Sequence, residues 1–206
     1  MTDLSTLDVT MPVGVFRALV TAATVDMKTG LLTCHAWHAR AAALLSVTER
    51  PIALYVLDVD RFGEVNKAIG HVDADAALAR AAHALRRAMG ADAVVGRFGG
   101  DEFVAITPVD GAEAARRAGQ DACDRVAEPV PGRPPAPAGL TVTASIGGVV
   151  TRSSTPDLTA LLWAADAALY SAKRAGGNTV RIVEAELARD TELEPTERGS
   201  SGDQIA

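Results

Sequence analysis

Residues 94–106 read Val-Val-Gly-Arg-Phe-Gly-Gly-Asp-Glu-Phe-Val-Ala-Ile, two short apolar runs on either side of a polar turn. The runs are rich in β-branched and aromatic residues, a composition typical of strands. Gly99 and Gly100 between them can adopt the backbone angles of a tight reversal. The stretch therefore predicts a β-hairpin that carries two carboxylates, Asp101 and Glu102, at its tip.

A second strand is predicted upstream, where residues 52–57 form a continuous apolar run typical of a strand buried on both faces. The run ends at Asp58 and Asp60. If this strand lies beside the hairpin, three or four carboxylates meet at one sheet edge and repel each other. Mg²⁺ removes such a conflict and prefers one or two carboxylates with phosphate oxygens and water, so the pattern predicts a magnesium site for phosphoryl chemistry. Each feature alone is also what an ordinary hairpin or helix cap shows.

The rest of the chain alternates between helical and extended patterns. Because the glycine hairpin is incompatible with a purely parallel sheet, the pattern favours an α/β sandwich around a mixed sheet. Trp163 and Tyr170 are seven apart on the last predicted helix and are expected to pack in the core. Helices are predicted over residues 12–24, 35–47, 61–69, 73–89, 112–127 and 158–174, further strands over 140–150 and 179–183, and an exposed proline-rich loop over 128–138.

Composition divides the chain into three predicted parts. An N-terminal helical extension covers residues 1–25, and an α/β domain covers 26–185. Residues 186–206 are acidic and contain Gly-Ser-Ser-Gly, so they bury too little apolar surface to fold and are predicted to form a flexible acidic tail.

Charge and composition exclude several classes of protein. Twenty basic residues against 26 acidic ones give a net charge of −6, which argues against nucleic-acid binding because that requires a dense basic surface. Cys34 and Cys123 lack the spacing of a disulfide framework or a zinc site. The N-terminus has no basic cluster before an apolar stretch, and no apolar run is long enough to span a bilayer. We therefore expect a cytoplasmic protein with no membrane segment.

The complete string from Arg97 to Phe103 closely resembles the signature of the GGDEF family, the diguanylate cyclases. Thr29-Gly30-Leu31 resembles the family's DxLTGLxNR motif, with Lys28 in place of its leucine. Ordered matches from about residue 26 to 183 cover most of the chain, and the further ones are Leu57–Phe62, Asn66, Gly70-His71, Asp75, Ser145–Gly147 and residues 165–173.

This resemblance implies a palm-like, ferredoxin-like nucleotide cyclase fold, with a central mixed, mostly antiparallel sheet flanked by helices. It also implies that the chain condenses two GTP into cyclic di-GMP and two pyrophosphates. The enzyme would act as a homodimer in which each subunit binds one GTP. The 3′-hydroxyl of each GTP would attack the α-phosphate of the other.

The resemblance also implies roles for the residues at the carboxylate edge. Asp58, the carbonyl of Val59, Asp101 and Glu102 would hold Mg²⁺ or Mn²⁺. Glu102 would serve as a further metal ligand or receive the hydroxyl proton. Lys173 would reach the phosphates as a point charge, so Asp101, Glu102 and Lys173 are the catalytic candidates.

Further residues would bind the substrate. Asn66 and Asp75 would read the guanine edge, since an amide and a carboxylate can pair with its carbonyl and N–H groups. His71 would lie near the base or ribose. Backbone amides at the start of the helix that begins near Phe62 would contact phosphate, and Gly99 and Gly100 would let the nucleotide lie against the backbone.

Three departures from the family pattern keep other functions open. Gly63 stands where the family usually has lysine, Lys67 where it has aspartate, and Gly177 where it often has an arginine that touches phosphate. One alternative is a catalytically degenerate GGDEF module that binds GTP or cyclic di-GMP and regulates a partner protein. Another is a cyclase with altered nucleotide choice.

The sequence also predicts the loss of a feedback site. Many members of the family carry an RxxD product-inhibition site, with its arginine nine and its aspartate six positions before the first motif glycine. Those positions are Gly90 and Ala93 here. We therefore expect no product binding at that site.

Overall fold

The computed structural model describes residues 11–127, 141–152 and 157–185, so the predicted loop at 128–138 and the predicted tail at 186–206 lie outside the described residues. The helices are α1 (Val13–Thr24), α2 (Cys34–Val47), α3 (Phe62–Met89), α4 (Ala112–Ala127) and α5 (Leu158–Arg174). The strands are β1 (Leu32–Thr33), β2 (Ile52–Val59), β3 (Val94–Gly99), β4 (Glu102–Pro108), β5 (Ala144–Thr151) and β6 (Val180–Glu184). None of the helices within these ranges is long and apolar enough to cross a membrane.

The six strands form one mixed sheet in the order β1-β3-β4-β2-β5-β6. The pairs β3–β4, β4–β2 and β2–β5 are antiparallel, whereas β1–β3 and β5–β6 are parallel. Every residue of the central strand β2 is buried, as its unbroken apolar run predicts for a strand covered on both faces. The predicted mixed, mostly antiparallel sheet flanked by helices is confirmed.

Two hydrophobic clusters fill the space between the sheet and its helices. Side chains of β2 point alternately to the two faces. Tyr55 and Leu57 lie in one cluster with residues of α3 and α4, and Leu54 and Val56 lie in the other with residues of α2 and α5. By the same alternation, Asp58 belongs to the face that α5 covers. The end of β2 is therefore positioned to meet side chains from the last turn of α5.

Strand β1 was not predicted, several predicted ends differ by one residue, and three larger differences concern α3, β2 and β5. Residues 61–69 and 73–89, expected as two helices, form the single segment α3 with a kink at Gly70, whose φ of 78° and ψ of 165° are not helical. Strand β2 continues to Val59, two residues past its apolar run, because its pairing with β4 extends to Asp58 and its pairing with β5 extends to Val59. Strand β5 begins at Ala144 rather than residue 140.

The expectation that Trp163 and Tyr170 pack in the core is wrong. They are 73% and 64% exposed. Their seven-residue spacing does place them on one face of α5, but another face packs on the sheet, where three alanines allow a close approach. The buried residues of α5 are Leu161, Ala165, Ala168, Leu169 and Ala172.

Candidate active site

Three acidic residues, Asp58, Asp101 and Glu102, lie where β2 ends and β4 begins. Asp58 lies directly opposite Glu102 in the antiparallel register of these strands. The amide of Val59 donates to the carbonyl oxygen of Asp101 across 3.3 Å. The structure thus brings together the acid at the end of the apolar strand and the two acids of the hairpin tip, as the sequence pattern predicts.

Asp58 is the most enclosed of the three acids, at 8% exposure. Nζ of Lys173, in the last turn of α5, lies 2.5 Å from its Oδ2. Burial raises the pKa of the Asp58 carboxyl, the Lys173 ammonium partly offsets this, and the carboxylates of Asp101 and Asp60 raise the pKa further. The net direction is upward, and burial is the largest cause.

Glu102 shares this electrostatic environment. Burial raises the pKa of its carboxyl, Asp58 and Asp101 raise it further, and Lys173 opposes them. Because Glu102 itself is exposed, it can reach a ligand in solvent. A carboxylate with a raised pKa is a stronger proton acceptor than an ordinary one.

The donor atoms at this edge suit a hard divalent cation. Within the described residues, no three His, Cys, Asp or Glu side chains are close enough to form a ready-made metal cage. Mg²⁺ does not need one, since it keeps several waters and uses one or two carboxylates together with substrate phosphates. Asp58, Asp101 and Glu102 supply carboxylate oxygens. The side chain of Val59 is apolar and fully buried, so Val59 could contribute only its backbone carbonyl oxygen as a ligand.

The glycine turn beside the acids is open and firmly held. A Cβ atom on Gly99 or Gly100 would meet no other atom within 4 Å, so a ligand can approach the backbone closely. Arg97 donates from Nε to the carbonyl oxygen of Gly100 across 3.1 Å, and its Nη1 donates to both carboxylate oxygens of Asp26. This bridge fixes the turn to the joint that follows α1.

Asp60 does not join the cluster as a free carboxylate, contrary to the expectation of a fourth converging acid. It accepts hydrogen bonds from Oγ1 of Thr143, Oγ of Ser145 and the amide of Asn178, at 2.7, 2.7 and 2.8 Å. A Cβ atom on Gly177, whose φ is +77°, would lie 3.1 Å from this carboxylate. Asp60 therefore joins the end of β2 to β5 and to the loop between α5 and β6, and glycine at 177 suits this close packing.

The first turns of α3 begin beside the carboxylate edge. Arg61 takes the left-handed conformation at φ 49°, which turns the chain sharply from β2 into the helix. Phe62 is partly buried against the core. Oδ1 of Asn66 is buried and has no hydrogen-bond partner among the described residues. A buried unpaired acceptor is costly unless a ligand satisfies it, so Asn66 is suited to bind one.

The kink at Gly70 separates these turns from two further predicted residues. His71 is exposed immediately after the kink. Asp75 is half-buried one turn later, and its Oδ1 lies 2.8 Å from Nζ of Lys28, in the joint between α1 and β1. The structure thus joins Asp75 to a cation that the sequence analysis treated only as a departure from the family motif.

Sequence reasoning assigned no role to three residues that the structure places at this site: Asp26, Lys28 and Arg97. Arg97 was part of the quoted signature, and its position two residues before Gly99 was the available signal. Lys28 could have been singled out because a charged residue replaces an apolar one. Its partner could not have been identified locally, since 47 residues separate the pair.

Residues 23–179 match the family described as "Diguanylate cyclase, GGDEF domain". The chain belongs to the GGDEF family. Its segment is 31% identical over 140 residues to diguanylate cyclase DosC of Escherichia coli K12, covering 68% of this chain and 30% of that protein. It is 38% identical over 152 residues to an uncharacterized 19.3 kDa protein of Streptomyces ambofaciens, covering 72% of this chain and 77% of the other.

Solved structures of GGDEF proteins share the fold. The coiled coil and GGDEF domain of DgcB from Caulobacter crescentus, in complex with c-di-GMP, matches with a TM-score of 0.73 and 26% identity. The match covers 82% of this chain and 91% of that one. The chain spans 20% and 30% of the length of two of the curated relatives that it matches. The resemblance to the GGDEF family is confirmed, and so is the palm-like α/β fold.

Proposed function

We propose that this GGDEF protein is a diguanylate cyclase that condenses two GTP into cyclic di-GMP and two pyrophosphates. The observation that carries the proposal is the register of Asp58 against Glu102, with Asp101 beside them and Lys173 across the site. Asp101 and Glu102 directly follow the open glycine turn, which would accept a triphosphate. We assign the activity to residues 26–185, and GTP as substrate implies a cytoplasmic enzyme.

Asp58, Asp101, Glu102 and the Val59 carbonyl are the proposed ligands of Mg²⁺ or Mn²⁺. When bound, the cation would supply charge neutralisation for the phosphates and activation of the attacking hydroxyl. Glu102 would also receive the 3′-hydroxyl proton, for which its raised pKa suits it. Lys173 would turn its ammonium from Asp58 to the phosphate oxygens once a cation takes its place.

The nucleotide would be held on the α3 side of the site. The unpaired Oδ1 of Asn66 and the carboxylate of Asp75 would accept from the donors of guanine, and His71 would lie near the base or ribose. Amides in the first turn of the helix after Phe62 would contact phosphate. Gly100 and its neighbour Gly99 would leave room for the nucleotide against the turn.

Catalysis requires two subunits, because the hydroxyl of one bound GTP attacks the phosphate of the other. Helix α1 offers a surface for such a homodimer. Phe16, Leu19 and Val13 are 58%, 53% and 74% exposed on this helix. Exposed apolar residues in this number favour association with another chain.

The test is turnover of GTP by the purified chain with Mg²⁺, with the product identified by mass spectrometry. Asp101→Asn is expected to lower the rate on the order of a thousandfold by removing a carboxylate ligand. Asp110→Asn is the matched control, because Asp110 is an exposed acid that pairs with Arg50 on the surface. GTP binding without turnover in the unaltered dimer would instead support a degenerate module that regulates a partner protein.

A further inference from the structure

Lys28 lies in a short joint whose backbone is held on both sides. The amide and hydroxyl of Thr29 donate to Oδ1 of Asp26 at 3.0 and 2.7 Å, and the amide of Gly30 donates to the Asp26 carbonyl at 2.8 Å. Arg86 of α3 donates to the carbonyl oxygen of Gly30 at 3.0 Å. The position from which the Lys28 side chain extends is therefore well defined.

From this joint Lys28 reaches the half-buried carboxylate of Asp75. The two side chains are 56% and 42% exposed, and Nζ lies 2.8 Å from Oδ1. An ion pair this exposed contributes little to stability, so a ligand can reorient the ammonium at small cost. The Lys28 contact uses Oδ1 of Asp75. Since a carboxylate accepts hydrogen bonds through both oxygens, Oδ2 can still accept from a ligand.

We propose that Lys28 is a base-recognition residue, which donates to O6 of guanine while Asp75 accepts from N1–H and the 2-amino group. The inference rests on the proposed function, which assigns Asp75 to the base. The lysine–carboxylate pair places a donor beside an acceptor, and guanine presents the complementary acceptor and donors on one edge. Adenine carries an amino group in place of O6, which would meet the ammonium as donor against donor.

The family's DxLTGLxNR motif has leucine at the position of Lys28. The polar contact with Asp75 would therefore be a feature of the present chain. An apolar side chain there could only pack against the base. Lys28 adds a charged donor that distinguishes a carbonyl from an amino group. It therefore strengthens selection of GTP over ATP, rather than binding of nucleotides in general.

The experiment measures nucleotide binding by calorimetry on the full chain with Mg²⁺. The probes are GTP and ATP analogues with a methylene between the α- and β-phosphorus, which prevents loss of pyrophosphate. Lys28→Met is expected to weaken binding of the GTP analogue about tenfold, because it removes a charge-assisted hydrogen bond. Binding of the ATP analogue should change less than about twofold. Arg50→Met, which breaks the surface pair with Asp110, is the matched control and should change neither.

Several outcomes would overturn the assignment. Equal or tighter binding of the GTP analogue by Lys28→Met would mean that the lysine merely competes with the base. An equal loss for both analogues would mean that it acts on the shared triphosphate. If Asp75→Ala no longer binds the GTP analogue and Lys28→Met binds it as the unaltered chain does, the proposed function stands and the proposed role of Lys28 is wrong. If the unaltered chain binds neither analogue, the proposed function and the proposed role of Lys28 are both wrong. Unchanged thermal unfolding of Lys28→Met separates these results from a structural effect.

Discussion

Lys173 and Asp58 form an ion pair between the last turn of α5 and the end of β2, with Nζ 2.5 Å from Oδ2. The ammonium lowers the pKa of both Asp58 and Glu102, against the effects of burial and of Asp101. If Asp58 is a metal ligand as proposed, the ammonium occupies a carboxylate oxygen that the divalent ion would also use.

Replacing Lys173 with methionine is expected to affect metal binding and turnover in opposite directions. Mn²⁺ alone should bind more tightly, because the ammonium no longer competes for Asp58. GTP turnover should fall about a hundredfold, because the transferring phosphate loses a cationic partner. Electron paramagnetic resonance titration of Mn²⁺ and a turnover assay measure the two effects.

Arg174→Met is the control for that experiment. Arg174 is adjacent in sequence, but its guanidinium lies 5.9 Å from the centre of the exposed Tyr170 ring. It should change neither quantity. Weaker Mn²⁺ binding in Lys173→Met would refute the competition between ammonium and metal.

Gly147→Ala is expected to destabilise the protein by about 3 kcal/mol, the upper end of the usual cost of overpacking, because the added atom would meet backbone rather than a movable side chain. The added Cβ would lie 2.0 Å from the amide nitrogen of Leu169 and 2.2 Å from the carbonyl oxygen of Ala165. Helix α5 would have to move away from β5, which would also displace Lys173. Urea unfolding measures the change.

Gly63→Ala is the matched substitution. A Cβ atom at Gly63 meets nothing within 4 Å and lies in α3, so alanine should be neutral or stabilise by up to about 1 kcal/mol. Comparable destabilisation by both substitutions would contradict the close packing of α5 on the sheet.

Asp26→Asn is expected to lower stability in a pH-dependent way. Burial alone would raise the pKa of Asp26, but hydrogen bonds from Thr29 and Arg97 outweigh it, so the pKa lies below its ordinary value. The stabilisation is therefore complete above the ordinary pKa of an aspartate and is lost as the pH falls through the lower, folded value. The substitution should cost about 2 kcal/mol at neutral pH, as expected for hydrogen bonds to a charged group.

Thermal unfolding across the acid range checks this prediction. The difference between Asp26→Asn and the unaltered chain should shrink as the pH drops below the ordinary range of aspartate. Asp110→Asn serves as control, because the Asp110 side chain is 89% exposed and its loss should have little effect at any pH. A difference that grows toward acid pH would show that the sign is wrong.

Cyclic di-GMP is expected not to bind at the position of the family's feedback site. Gly90 ends α3 at φ 85°, and neither it nor Ala93 has a charged side chain for the product's phosphates. Calorimetric titration of Mg²⁺-free protein tests this. Tight binding that persists in Asp75→Ala would contradict the prediction.

The carboxylate edge was predictable because its determinants are local. A short apolar run predicts a buried strand, a glycine pair predicts a reversal, and both place acids at the strand ends. The difference between Asp58 and Asp60 was not predictable in this way. The three partners of Asp60 lie 83, 85 and 118 residues away in sequence, so no local pattern signals that its oxygens are already used.

Helix α5 shows a different limit of sequence reasoning. Its boundaries matched the prediction, but its buried face did not. Residue type suggested that Trp163 would be inside, whereas close contact with Gly147 of β5 requires small residues on that side of the helix. Which face is buried depends on the partner surface, and that surface is assembled from distant strands.

The hydrogen bonds of Asp60 have a practical consequence for mutagenesis of this chain. Asp58 and Asp60 are separated by a single residue, and we expect the loss of either one to abolish activity, but for unrelated reasons. Loss of Asp58 would leave an intact but inert protein, whereas loss of Asp60 would loosen three chain segments at once. An assay of product formation alone would make the two variants look alike, and only a measurement of folding would tell them apart.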